Sequence, residues 1–235
     1  RTAGERVVGG HACSLRGQRR LWQGGPVPHT PGVRALWEQQ DRHVGDRHRL
    51  FTAVAEAVPA ARVLYPGSFV DLAPSFVFPA VVYVDTDRRA ARFFADDALV
   101  RSLAEEHQVP TDPEVAFLHH DYEEPLPLAD ESFDLLVSLY AGLVSAACTR
   151  YLRICGTLLV NPSHGDAALA ALDDRYELSG VVAGRDGRYR VRTDNLDTYL
   201  VPKRPTGLTP EMVRARGRGI AYTRSPFAYL FTRIA

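Results

Sequence analysis

Two apolar runs in this chain each end in a carboxylate. The first, Val81-Val-Tyr-Val-Asp85-Thr-Asp87, closes on a pair of aspartates, and the second, Val115-Ala-Phe-Leu-His-His-Asp121, closes on one with Tyr122 beside it. An ionised carboxylate offers two oxygens to two adjacent hydroxyls, so an acid at a strand end can grip a nucleoside. Upstream, Arg62-Val-Leu-Tyr65-Pro-Gly67-Ser68 ends on a glycine able to turn tightly against a ligand. Further along, Tyr140 and the run Asn161-Pro-Ser163-His164-Gly-Asp166 carry groups that could position or deprotonate an acceptor, His164 being of the type that titrates near neutrality.

Other chemistries fail on spacing. Ser163, His164 and Asp166 are too close in sequence to assemble as a relay triad, which draws side chains from separate elements. His119 and His120 alternate faces on a strand and cannot chelate one metal together. Cys13, Cys148 and Cys155 show no paired spacing, so no disulfide framework, zinc site or other metal centre is expected and a reducing cytosol fits best. No Gly-rich loop leads into Lys-Ser or Lys-Thr, and no Gly-x-Gly-x-x-Gly occurs, which ranks ATP hydrolysis and ordinary NAD binding low. Arg6-Val-Val-Gly-Gly10 looks like a chymotrypsin-type activation site, but nothing downstream supplies that family's nucleophile motif.

The elements that must position the acids can be read from periodicity. Residues 62–67, 81–87, 115–121 and 132–138 are buried-strand patterns, rich in β-branched and aromatic residues between turn signals. Helical patterns separate them, as in a parallel α/β sheet. Residues 33–57 carry apolar positions three or four apart in two groups, expected to cover a sheet edge. Thr86 or Asp87 can cap the next helix, and Asp97 restarts it through His107. A helix is predicted from Gly142 to Ile154, ending on a left-handed Gly156 before a fifth strand, Thr157–Val160. Residues 177–183 and 188–193 flank Gly184-Arg-Asp-Gly187 as a hairpin, Thr209-Pro-Glu opens a short helix ending at Gly217, and residues 227–234 supply a last strand.

Composition sets the bounds. The 235 residues are 46% hydrophobic, enough for one large core, and residues 33–235 read as a single domain. Residues 1–32 are dominated by Arg, Gly, Gln and Pro without lasting periodicity and read as a disordered arm. The chain begins at Arg1 rather than Met, as a fragment or trimmed chain would, and no apolar signal segment is visible near its start. The formal charge of zero removes the usual signature of a DNA-coating or lipid-binding protein and points to a small or locally recognised partner in the cytoplasm. The longest apolar stretch, Leu135 to Cys148, is too short to cross a membrane. Residues 185–224 are arginine-rich, read first as a solvated face and second as an anionic-substrate or RNA contact, with RNA not expected.

The phrase Leu126-Pro-Leu-Ala-Asp-Glu-Ser-Phe-Asp-Leu-Leu-Val137, with Arg150-Tyr-Leu-Arg-Ile-Cys-Gly-Thr-Leu-Leu-Val160, resembles the wording of class I S-adenosylmethionine-dependent methyltransferases over roughly residues 46–192. The resemblance implies a Rossmann-like, doubly wound α/β fold with a mainly parallel sheet and a C-terminal antiparallel hairpin. It implies S-adenosyl-L-methionine as cofactor, held by Tyr65, Gly67, Ser68, Asp85 or Asp87, Asp121 and Tyr122, and a small-molecule acceptor. In this placement Asp85 takes the ribose hydroxyls and Asp121 the adenine amine, while Tyr140 and His164 are the catalytic candidates. The first loop departs from the family: Tyr65 replaces the usual acid, and Phe69 and Asp71 stand where the second and third glycines belong. Ser68, Asp71 and Ser75 could then supply polar contacts instead. The rival reading is a non-catalytic methyltransferase-like fold that binds a nucleotide-like ligand or a protein partner.

Overall fold

The apolar runs become the middle of one sheet. A computed structural model describes residues 32–109, 113–204 and 207–235, so the protease-like Arg6–Gly10 run and most of the arm lie outside the described residues. The elements are α1 (Val33–Gln40), α2 (Asp46–Ala57), β1 (Arg62–Pro66), β2 (Ala80–Asp85), α3 (Arg88–Phe94), α4 (Asp97–Glu106), β3 (Glu114–His119), β4 (Phe133–Ser138), α5 (Val144–Cys148), β5 (Leu152–Val160), α6 (Asp166–Leu172), β6 (Tyr176–Arg185), β7 (Arg188–Arg192), α7 (Pro210–Arg216) and β8 (Ala228–Arg233).

The strands lie in the order β3-β2-β1-β4-β5-β8-β6-β7. Strands β1 to β5 pair in parallel. Strand β8 runs antiparallel between β5 and β6, and β6 with β7 forms the expected hairpin. This is a Rossmann-like doubly wound sheet. The chain leaves β1 outward to β2 and β3, then returns to place β4 on the other side, so the strand order reverses between β1 and β4. Ligands of such sheets bind beyond the carboxyl ends at that reversal.

Alternation along each strand divides the core in two, because successive side chains point to opposite faces. Val63, Tyr65, Val81, Tyr83, Leu135 and Val137 pack against Trp37 of α1, Leu50, Phe51 and Val54 of α2, and Phe93 of α3. Leu64, Val84, Leu136, Leu158 and Val160 pack against Val144 and Cys148 of α5, Ala167 to Ala170 of α6 and Val213 of α7. Helix α2 lies across its face and reaches the edge strand through the Tyr189 hydroxyl, which donates to Asp46 at 2.8 Å.

One expectation is corrected. The helix predicted to run from Gly142 to Ile154 is only α5, followed by a 3-10 turn at Thr149–Tyr151, and β5 begins at Leu152. Gly156 caps no helix; it sits inside β5, and the left-handed residue is Cys155, with φ 61. The pairing register of β4 with β5 shifts here. A Cβ on Gly156 would stand 2.6 Å from Leu152 Cδ1, so the glycine accommodates a bulge. Strand pairing and the burial of Leu152 override the helical pattern of Ala146–Ile154.

Candidate functional site

The loops that follow β1, β2, β3, β4 and β5 meet along one rim of the sheet, and Asp85 ties two of them together. Its Oδ2 accepts the Phe69 N–H at 2.7 Å and its Oδ1 the Asp87 N–H at 2.8 Å. Each oxygen retains acceptor capacity. The Gly67 N–H donates to the Val84 carbonyl at 2.8 Å, which seats the first loop on the end of β2. Asp87 is engaged otherwise: it caps α3 by accepting the Arg89 N–H at 2.7 Å and pairs with the Arg89 guanidinium at 2.6 Å. These bonds from Arg89 hold its carboxyl below the ordinary range.

Asp121 lies on the same rim as Asp85. In the parallel register Asp85 stands beside His119, and the His120 N–H donates to the Asp85 carbonyl at 3.2 Å. Asp121 is exposed and closes its own turn by accepting the Glu123 N–H at 2.9 Å. Tyr122 turns inward, its half-buried ring packed against the second core, and its phenol donates to the Ala141 carbonyl. Burial pushes that phenol up to about 12.

The β4 loop closes over the β1 loop at this point. Gly67 has φ 63 and faces Ala141 so closely that an added methyl would overlap the Ala141 Cβ. Gly142, at φ 95, comes against the Tyr122 phenol oxygen, which would stand 2.7 Å from an added Cβ. Phe69 is left-handed at φ 47, with the Arg89 guanidinium 5.0 Å from its ring centroid.

Beneath the first loop, the polar groups expected to greet a ligand bond to one another. Tyr65 is 2% exposed and points into the core, where its hydroxyl donates to Asp71 Oδ2 at 3.1 Å and accepts from Arg47 at 2.9 Å. Asp71, fully buried, is held by Arg47 through Nε at 2.8 Å and Nη2 at 2.6 Å. Burial works against the Arg47 charge, but the Asp71 carboxylate outweighs it and the guanidinium is held above its ordinary value. Ser75 Oγ lies 2.7 Å from the Tyr83 hydroxyl, and the buried Ser68 Oγ reaches only the Phe69 carbonyl, at 3.4 Å. Tyr65 and Ser68 thus support the loop from below.

The ends of β4 and β5 form a second polar centre. Asn161, 3% exposed, accepts the Tyr140 N–H at 3.3 Å and the Ser163 hydroxyl at 2.7 Å through its Oδ1. Ser163 Oγ is 2.9 Å from His164 Nδ1, so the two candidate catalytic residues are linked through Asn161 and Ser163. Tyr140 is 58% exposed and left-handed at φ 62. Asp166, 1% exposed, accepts the Ser138 hydroxyl at 2.6 Å, the Ser145 hydroxyl at 2.5 Å and the Ser145 N–H at 3.1 Å. Burial raises its pKa against those three stabilising bonds.

Sequence reasoning missed Arg47, Ala141, Ser138 and Ser145, none of which stands out in a single chain. Asn161 and Asp166 were visible but have structural roles that only strand order reveals. Among the described residues there is no group of three His, Cys, Asp or Glu that could hold a metal, and no helix long and apolar enough to cross a membrane. Two cavities, of about 490 and 250 Å³, lie at the other end of the strands, near the starts of β1 and β4, beside Val58, Pro59 and Asp134.

Asp85 stands at the strand reversal with acceptor sites to spare, as the ribose hydroxyls of an adenosyl group would require. The contact of Ala141 with Gly67 would have to part to admit one. Tyr65 and Asp87 have other partners.

The chain matches no protein-family profile and no curated protein sequence. It is similar to solved structures that are nearly all S-adenosylmethionine-dependent methyltransferases. They include a putative methyltransferase from Bacillus halodurans, with 19% identity over 52% of this chain and 55% of that one at a TM-score of 0.35. The O-methyltransferase TomG from Streptomyces achromogenes, in complex with SAM, shares 12% identity over 69% of this chain and 88% of its own, at 0.42. A SAM-dependent methyltransferase from Thermotoga maritima shares 13% over 86% and 98%, at 0.45. The chain spans about half the length of the first structures it matches. The Rossmann-like arrangement rests on this chain's own strand order and parallel pairing.

Proposed function

We propose that the chain is an S-adenosyl-L-methionine-dependent methyltransferase acting on a small molecule. One observation carries this reading: the partly buried Asp85 carboxylate joins the loops after β1 and β2 at the point where the strand order reverses. The cofactor supplies an electrophilic methyl group on a sulfonium sulfur. Asp85 would accept the ribose hydroxyls, Gly67 would let backbone approach closely, and Asp121, exposed on the same rim, would meet the adenine amine. Tyr140 presents its ring to solvent beside Asn161, where an acceptor can be aligned, and alignment is the main requirement of methyl transfer. His164, oriented by Ser163, can take a proton from the acceptor.

Isothermal calorimetry with S-adenosylmethionine and S-adenosylhomocysteine tests the reading. Binding is expected in the wild type, and Asp85→Ala is expected to weaken it by roughly tenfold or more, the worth of a charge-assisted bond pair. Tight binding unchanged by Asp85→Ala would remove Asp85 from the site. A second reading, a non-catalytic fold that binds a protein partner or another nucleotide-like ligand, is favoured by the closed Gly67–Ala141 contact. Absence of binding to either adenosyl compound would leave that reading in place.

A further inference from the structure

We infer that residues 140–143 form a gate over the β1 loop and that the Tyr122 phenol is the latch holding it shut. The inference rests on the adenosyl site proposed above. Both ends of the segment are fixed by one buried carboxylate, since Asp166 accepts from Ser138 before it and from Ser145 after it. Leu139 and Val144 are also anchored, at 2% and 0% exposure in the two cores, and Leu143 packs against the second of them. Between these anchors the hold is slight. Ala141 is retained by the Tyr122 hydroxyl on its carbonyl and by the seat of its methyl on Gly67, and the Tyr140 N–H reaches Asn161 Oδ1 only at 3.3 Å.

The latch is mounted on rigid ground. The Tyr122 ring packs in the second core, and the segment after it is tied down where the Leu126 N–H donates to the Tyr151 hydroxyl at 2.8 Å. The gate is hinged where it is strained. Tyr140 at φ 62 and Gly142 at φ 95 flank Ala141, and a tyrosine held in the left-handed region favours conformations that release it. Rotation at these two residues swings Ala141 off Gly67 without disturbing either serine. Movement of Ala141 away from Gly67 uncovers the β1 loop beside Asp85, the part of the rim an adenosyl group must reach. The apparent affinity of such a site is its intrinsic affinity multiplied by the fraction of molecules in which the gate is open.

Tyr122→Phe keeps the packed ring and removes the O–H. The expected results are faster amide hydrogen exchange confined to residues 140–143 of the free protein, and S-adenosylhomocysteine binding tighter by about three- to tenfold, the worth of one hydrogen bond. A merely structural role for the phenol would weaken binding. Ala141→Gly, which removes the methyl seated on Gly67, should shift both readouts the same way and serves if Tyr122→Phe melts early. Exchange in residues 140–143 unchanged in both variants would overturn the latch. Faster exchange with unchanged affinity in a wild type that binds would overturn the gating of the site. Faster exchange with no binding by any of the three proteins would establish the latch and remove the methyltransferase reading.

Discussion

Arg47→Met should be among the most damaging single changes in this protein, and the reason lies beneath the rim. The Asp71 side chain is fully buried, and the Arg47 side chain is 13% exposed. The guanidinium supplies two bonds to Asp71 Oδ2, at 2.8 and 2.6 Å, and a third to the Tyr65 hydroxyl at 2.9 Å. Methionine fills much of the same volume but leaves an ionised carboxylate in the core, with the Tyr65 O–H and a long 3.4 Å contact from the Ala73 N–H as its remaining donors. Removing one partner of a buried pair costs about 3–5 kcal/mol, because the desolvated charge left behind has no compensation. For a protein of this size that is a fall in Tm of roughly 6–20 °C. Urea unfolding measured by circular dichroism, with a constant slope against denaturant, gives the value directly. The double variant Arg47→Met/Asp71→Asn removes the orphaned charge and should recover at least half of the loss. A single variant within about 1 kcal/mol of wild type, or a double variant no better than the single, would refute the argument that this pair is buried and tightly coupled.

Two further outcomes follow from local geometry. Gly67→Ala forces a side chain into the left-handed region and onto the Ala141 methyl, and should lower stability by about 2–4 kcal/mol in thermal or urea melts, strain and overpacking adding. A change below about 0.5 kcal/mol would show that the two loops are not in contact. His48 stands 5.5 Å from both the Phe76 and His107 rings, and burial first, then His107 and Arg49, lower its pKa against the opposing pull of Asp41. A histidine whose folded pKa lies below its unfolded value of about 6.5 contributes full stability above that pH and loses it as pH falls toward the folded value. Urea midpoints should therefore drop between pH 7 and pH 5, and His48→Gln should flatten part of that slope; an unchanged slope would assign it to other groups.

The central strands β1, β2 and β4 were legible from residue types because a strand covered on both faces is apolar throughout, whereas the run at 115–121, expected to be buried too, is the edge strand β3 and has no buried residue. The hairpin around Gly184–Gly187 and the Thr209 cap were legible for the same local reason: turn and cap chemistry acts within a few residues. The fifth strand was read too short and its helix too long, since Leu152–Ile154 continues a helical pattern yet lies in β5, where Leu152 pairs with Phe133 of β4. Asp85 at the end of β2 could be named from the chain alone. That its carboxylate ties Phe69 to Asp87, that Asp87 caps a helix, and that Tyr65 and Asp71 share Arg47 could not.

Residue type and periodicity determined where the strands run and which carboxylates end them, because those preferences act over a few residues. The tertiary structure decided which of those groups face the rim and which are spent on one another. Arg47 is 24 residues from Asp71, Tyr122 is 19 from Ala141, and Asp166 is 28 from Ser138. Hydrogen bonds over such separations exist only once the strand order has brought the loops to one edge, and a buried polar group then takes whichever partner that order places beside it.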